Sequence, residues 1–160
     1  MPKQSAGLLL YRSTDLGLEV FLVHPGGPFW AKKDLGAWSI PKGEYTDGEA
    51  PLAAARREFE EETGLNAIAQ LPESAFIALG SVRQRGGKVV NAWAVELDVD
   101  ASPIVSNLCE IEWPPRSGRR IVVPEVDRAA WFGQLEARSH MFAAQEPFLD
   151  RLLVAIAKKK

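Results

Sequence analysis

Glu58, Glu61 and Glu62 fall within five residues of one another, in the stretch GEYTDGEAPLAAARREFEEETGL that runs from Gly43 to Leu65. That stretch holds seven acidic residues in 23 positions. On a helix the three glutamates stand at i, i+3 and i+4, so they share a face. Neighbouring carboxylates repel, and the repulsion raises their pKa values or weakens the helix unless positive charge intervenes. Arg56 and Arg57 lie on neighbouring rows. Arg57, one position off Glu58, is expected to point elsewhere and to relieve only part of the repulsion. A hard divalent cation relieves it directly. Magnesium prefers carboxylate oxygens and often shares its shell with substrate phosphates. The alternative is a solvated acidic helix face.

The elements that must hold this cluster are legible around it. Pro51 suits the first position of a helix, LAAARREFEEET follows with strong helix formers, and Gly64 is placed to end it. The sequence therefore predicts a helix over 51–63, with Leu52, Ala55 and Phe59 as its buried stripe. AGLLLYR and LEVFLVH read as two strands of a hairpin joined by STDLG. HPGGPFWAKKDLG reads as a loop, AWSI as a short strand, and AIAQLPES as a strand fragment with a turn. FIALGSVRQ and KVVNAWAVELDV form a second hairpin around RGG. SNLCEIEWPPRSGRR reads as a polar excursion and RAAWF as a short apolar segment. Residues from about 134 to 157 read as helix with a break near Pro147. Its apolar positions, Phe148, Leu149, Leu152, Leu153, Ala155 and Ile156, form a stripe suited to covering a sheet. Antiparallel hairpins with one central and one terminal helix imply an α/β fold in which helices cover a sheet.

The whole chain bounds the function. Its 160 residues suit one domain spanning 1–160. A net charge of −2 gives no reason to expect DNA binding. There is no apolar run long enough for a membrane span and no secretory signal pattern. A single cysteine, Cys109, excludes an internal disulfide and a cysteine-built zinc site. A cytoplasmic location is the expectation, and a homodimer stays open.

The spacing around the glutamates carries a resemblance. Gly43, five residues, Glu49, seven residues, Arg57-Glu58, an apolar Phe59, one residue, Glu61-Glu62, one residue, Gly64 and an apolar Leu65 match the Nudix box at every fixed position. The sequence is thus similar to the Nudix hydrolase family. The resemblance implies a Nudix fold, an α/β/α sandwich with a mixed central sheet. It implies hydrolysis of a pyrophosphate linkage in a nucleoside diphosphate derivative, a small-molecule substrate, with Mg2+ or Mn2+ as cofactor. It places metal at Glu61 and Glu62, metal or the general base at Glu58, and a further ligand at the Lys42 backbone carbonyl. It pairs Glu49 with Arg57 as scaffold. The PKG triplet at 41–43 looks like that of dinucleoside polyphosphate and diphosphoinositol polyphosphate hydrolases, so diadenosine tetraphosphate is the first choice of substrate. ADP-ribose and nucleoside triphosphates are alternatives. A non-hydrolytic ligand-binding member is the alternative of another class.

Residues outside the box are candidates for the remaining contacts. Lys42 suits a phosphate as a point charge. Glu125 is the preferred additional metal ligand or base, with Glu110 and Glu112 competing. Arg83, Arg85 and Lys88 flank the second hairpin's turn, and Arg116, Arg119 and Arg120 sit in the excursion. Of these, Arg83 and Arg119 are the leading phosphate contacts. Phe29 and Trp30 suit either base stacking or a plug under their loop. His24 and His140 have no visible partner and read as structural.

Overall fold

A computed structural model describes residues 3–102 and 104–159. The chain begins with β1 (Gln4–Thr14) and β2 (Gly17–Pro25), an antiparallel hairpin in which Tyr11 faces Val20 and Thr14 faces Gly17. After the loop of residues 26–37, β3 (Lys42–Glu44) pairs antiparallel with β1, with Ser5 opposite Glu44 and Gly7 opposite Lys42. The AWSI segment is not a strand: it makes isolated bridges only, Ser39 to Val23 and Trp38 to Met141. It still does a strand's work by wedging between β1 and β2, whose direct pairing runs only from Tyr11 to Thr14 on β1.

The helix α1 (Pro51–Thr63) has the bounds that the sequence predicts, with Pro51 in its first turn and Gly64 as C-cap at φ 72°. Ala55 and Phe59 are fully buried beneath it. The expected strand fragment at AIAQLPES is instead two 3₁₀ turns, Ala67–Gln70 and Glu73–Ala75. Arg56 explains part of the difference, because it donates to the carbonyls of Ile68 and Leu71 and pins this segment beside α1. Next come β4 (Ile77–Arg83) and β5 (Val89–Glu96), the second hairpin, with β5 also parallel to β1. The polar excursion contains a separate two-stranded sheet, β6 (Leu108–Glu112) and β7 (Arg120–Pro124). Then β8 (Val126–Gly133) pairs with β2, and α2 (Gln134–His140) and α3 (Glu146–Lys159) close the chain on either side of the break near Pro147.

The main sheet runs β4-β5-β1-β2-β8 with β3 beside β1. It is mixed, since the β1–β5 pair is parallel and the others are antiparallel. Alternation along β1 sorts the core into two layers. Ala6, Leu8 and Leu10 pack with Ala55 and Phe59 of α1. Leu9 and Tyr11 pack with Phe148, Leu149 and Leu152 of α3. Leu153, Ala155 and Ile156 are half-buried at the edge of that stripe. Among the described residues, no helix is long and apolar enough to cross a membrane.

Candidate active site

The acidic residues lie in the last turns of α1, where the helix dipole is negative and no basic residue stands in the last turn. Carboxylates are disfavoured there, so local helix energetics do not account for the cluster. Arg57 is the protein's partial answer. Helical spacing predicts that it points away from the acidic face, but its guanidinium reaches back across that face. Its Nη1 donates to Glu58 Oε1 at 2.8 Å and to Glu61 Oε1 at 3.0 Å. Its Nε and Nη2 grip both oxygens of Glu49 at 2.8 and 2.9 Å. A long flexible arginine can fold over its own row, which residue spacing alone does not reveal. The Glu49 carboxyl is held below its usual pKa by this hydrogen bonding.

A cavity of about 550 Å3 opens beside the helix, within the usual size of a small-ligand site. Glu58, Glu62 and Glu125 line it, together with Lys42 and Lys88. Glu58 and Glu62 are each 7% exposed. Burial, the largest cause, raises the pKa of both carboxyls. Desolvation likewise lowers the pKa of the Lys42 ammonium, with the Glu62 charge opposing the shift. The Lys42 backbone N–H donates to Glu62 Oε1 at 3.3 Å. Gly43 has a steric role: a Cβ there would overlap the Glu58 carboxyl.

Glu125 reaches this helix from the bend between β7 and β8 by a backbone strut. Asn107 N–H donates to the Glu61 carbonyl at 2.8 Å, and the Asn107 carbonyl accepts from Glu125 N–H at 3.0 Å. Asn107 Nδ2 also reaches Glu125 Oε1 at 3.4 Å. The segment that caps the helix C-terminus therefore also sets the distant glutamate.

Several other candidates stand elsewhere. Glu61 is exposed and lies outside the cavity lining, held by Arg57. Glu110 pairs with Arg120, and Glu112 accepts from the backbone of Arg116 and Gly118 in the β6–β7 turn. Arg83 and Arg119 are exposed and do not line the cavity. Lys88 takes the place expected of them, since the turn after β4 brings it inward to pair with Glu44 at 3.3 Å. Trp30 is half-buried and packs edge-on against Phe142 at 5.5 Å, and both line the cavity. Phe29 stays outside under Lys33, whose ammonium sits 3.6 Å from the ring. No motif or spacing singles out Phe142, a lone aromatic between α2 and α3.

His24 does have partners. It is fully buried, with Nδ1 at 2.9 Å from Asp127 Oδ1 and Nε2 at 2.6 Å from the Lys33 carbonyl. It ties the aromatic loop to β8, and its role remains structural. His140 similarly meets the Glu136 carbonyl and Asp34.

The donor set suits a hard cation: Glu58, Glu62 and Glu125 share the cavity with a fourth carboxylate, Glu44, which is paired with Lys88, and the one thiol or imidazole on the lining is the Cys109 thiol. Burial raises the pKa of that thiol. Among the described residues, no three acidic, histidine or cysteine side chains stand as a finished cage. Arg57 draws Glu58 and Glu61 together instead, so a cation would have to compete with its guanidinium for the Glu58 carboxylate.

The mixed sheet between α1 and the α2/α3 pair, with the box glutamates beside a cleft, defines a Nudix-fold protein. The NUDIX domain family matches over residues 1–152, and the chain belongs to that family. An RNA pyrophosphohydrolase from Rhizobium meliloti is 32% identical over 104 residues, covering 59% of this chain and 57% of that protein. One from Agrobacterium fabrum is 47% identical over 88 residues, covering 49% of each. The matches thus span about half the length of these curated relatives. Among solved structures, a C. elegans Ap4A hydrolase binary complex aligns with TM-score 0.64 and 21% identity over 98% of both chains. The NUDIX domain of Shewanella oneidensis NrtR, complexed with ADP ribose, aligns with TM-score 0.63 and 17% identity, covering 98% of this chain and 89% of that one. At these identities the structural likeness concerns the fold.

Proposed function

We propose that the protein is a metal-dependent hydrolase of pyrophosphate linkages in nucleotides that carry an extended phosphate chain. The observation that carries the reading is the convergence of Glu58, Glu62 and Glu125 with Lys42 and Lys88 on one cavity. Glu58, Glu62, Glu125 and the Lys42 carbonyl are the groups that would hold Mg2+ or Mn2+, with Glu61 an outer contributor through Arg57. A bound cation would neutralise phosphoryl oxygens and lower the pKa of a bound water. Where Glu58 does not hold the cation, its raised pKa suits it to take the proton from the attacking water. Lys42 and Lys88 supply positive charge to oxygens of the chain. The Trp30–Phe142 corner offers apolar faces for a base.

Diadenosine tetraphosphate is the first-choice substrate, since two lysines on the cavity wall suit a long phosphate chain. RNA with a 5′-triphosphate is the second, favoured by the names of the curated relatives. ADP-ribose and nucleoside triphosphates complete the panel.

The test is turnover of these four substrates with magnesium, with products separated by chromatography. Release of ATP and AMP from the dinucleotide supports the first choice, and release of pyrophosphate from RNA supports the second. Glu62→Gln should lower turnover on the order of a hundredfold or more, the scale of losing a group that stabilises developing charge. A variant with the wild-type rate would remove Glu62 from the metal site.

A further inference from the structure

Among the described residues, one buried side-chain polar atom lacks a hydrogen-bond partner: Ser5 Oγ. Ser5 is fully buried and belongs to the wall of the cavity. An unsatisfied buried hydroxyl is unfavourable, and alanine would fill the same strand position without it. Nearby polar groups are already committed to each other. The Asn91 amide donates to Gln4 Oε1 at 3.0 Å and Tyr45 Oη at 3.2 Å, and reaches only the carbonyl of Ser5, at 3.5 Å. Gln145 is satisfied by the Ile40 N–H, Ser39 Oγ and Gln84 Oε1.

The strand register shows what the hydroxyl faces. Ser5 lies opposite Glu44 on β3, and Gly7, two positions on, lies opposite Lys42. Directly opposed residues share a sheet face, as do positions two apart. Ser5, Lys42 and Glu44 therefore project from the same face. Lys88 reaches it too, because it pairs with Glu44 at 3.3 Å, and Lys3 approaches Glu44 at 3.7 Å. An unpartnered donor thus shares a cavity wall with two lysines, Lys42 and Lys88. The Glu44 carboxylate on that face is occupied by lysine. The hydroxyl itself is closed to water, so a ligand reaches it only when the flexible side chains of that face move aside.

We infer that Ser5 is a substrate-positioning residue whose hydroxyl donates a hydrogen bond to a phosphoryl oxygen, at the lysine-bearing wall of the cavity rather than at its carboxylate end. It then selects for phosphate chains long enough to reach from one to the other. The inference deepens the hydrolase reading above and rests on it.

Calorimetric titration of the full chain with inorganic tripolyphosphate, in magnesium, tests the contact directly. Wild type, Ser5→Ala and Ser5→Cys are compared, the last being similar in size with a weak donor. Both variants should bind about tenfold more weakly, the scale of a hydrogen bond to a charged group. On the substrate turned over best, KM should rise about tenfold with kcat nearly unchanged, the pattern of lost uniform binding. Melting temperature should hold or rise, because the variants remove an unsatisfied oxygen. Equal tripolyphosphate affinity in wild type and Ser5→Ala overturns the inference, as does a wild type that does not bind tripolyphosphate. A fall of several degrees in melting temperature also overturns it, since the hydroxyl would then serve the fold. The hydrolase reading is judged separately, by whether wild type hydrolyses anything in the panel with magnesium.

Discussion

Gly43 shows how one missing side chain can matter more than a charged one. Its Cα faces the Glu58 carboxyl so closely that a Cβ would overlap it. Its backbone does not need glycine for conformational reasons, as it is absent from the positive-φ positions. The constraint is therefore steric and falls on a side-chain end that can move. Gly43→Ala should push Glu58 off the cavity while leaving the fold intact. Turnover should fall at least about tenfold, as expected when a reacting group shifts by roughly 1 Å. Thermal melting should shift by less than a few degrees. An unchanged rate would show that the position of Glu58 is not set by this contact. The identities and spacing of these residues were legible in the sequence. The reach of Arg57 was not, because spacing along a helix fixes where a side chain starts and not where it ends. The same holds for the hydrogen bond from the Lys42 backbone N–H to Glu62, which depends on β3 lying against α1.

At the scale of elements, the loop from β3 to α1 is held by the Glu49–Arg57 pair. Residues 45–50 carry no regular structure between β3 and the Pro51 start of α1, and the helix lacks a side-chain N-cap. The bidentate pair takes over that anchoring role. The Glu49 carboxyl has a lowered pKa in the folded state through its hydrogen bonds with Arg57. Its stabilising contribution is therefore present above the ordinary glutamate pKa of the unfolded chain and lost as pH falls through the lower folded value. The stability difference between wild type and Glu49→Gln should be constant from neutral pH down to about 5 and shrink below that. Urea melts at several pH values would measure it, and a difference that grew toward acid would refute the pairing. Strong local signals made this helix readable: a proline, a glycine and a run of helix formers. The 67–75 segment was misread because its apolar residues also fit a strand. Its 3₁₀ turns depend on Arg56, twelve residues away from Ile68. The β6–β7 hairpin is hard to read from sequence because its two five-residue strands are short, largely exposed or half-buried, and separated by a polar, Pro-containing turn.

For the whole molecule, the question is whether α1 with its carboxylates and α3 with the opposite layer are one cooperative unit. The two cores share β1, whose alternate side chains feed each of them. Gln145, just before α3, also holds the Ile40 N–H next to the PKG triplet, so the far layer touches the cavity wall. A sheet loaded on both faces has no independent half, since removing either helix layer exposes the other side of the same strands. Residues 1–160 should then unfold as a single domain. Phe148 is fully buried on α3, and Phe148→Ala should cost about 3–5 kcal/mol, the range for a core aromatic truncated to alanine. Far-UV circular dichroism follows the helices. Tryptophan fluorescence follows Trp38 in one layer and Trp131 against the other. In urea the two signals should shift together and stay superimposed in the variant. If fluorescence and dichroism separated, with α3 melting ahead of the α1 layer, the layers would be energetically distinct. The carboxylate site would then stand on α1 and its strands alone, and magnesium-dependent turnover should persist at urea concentrations where α3 has already come away.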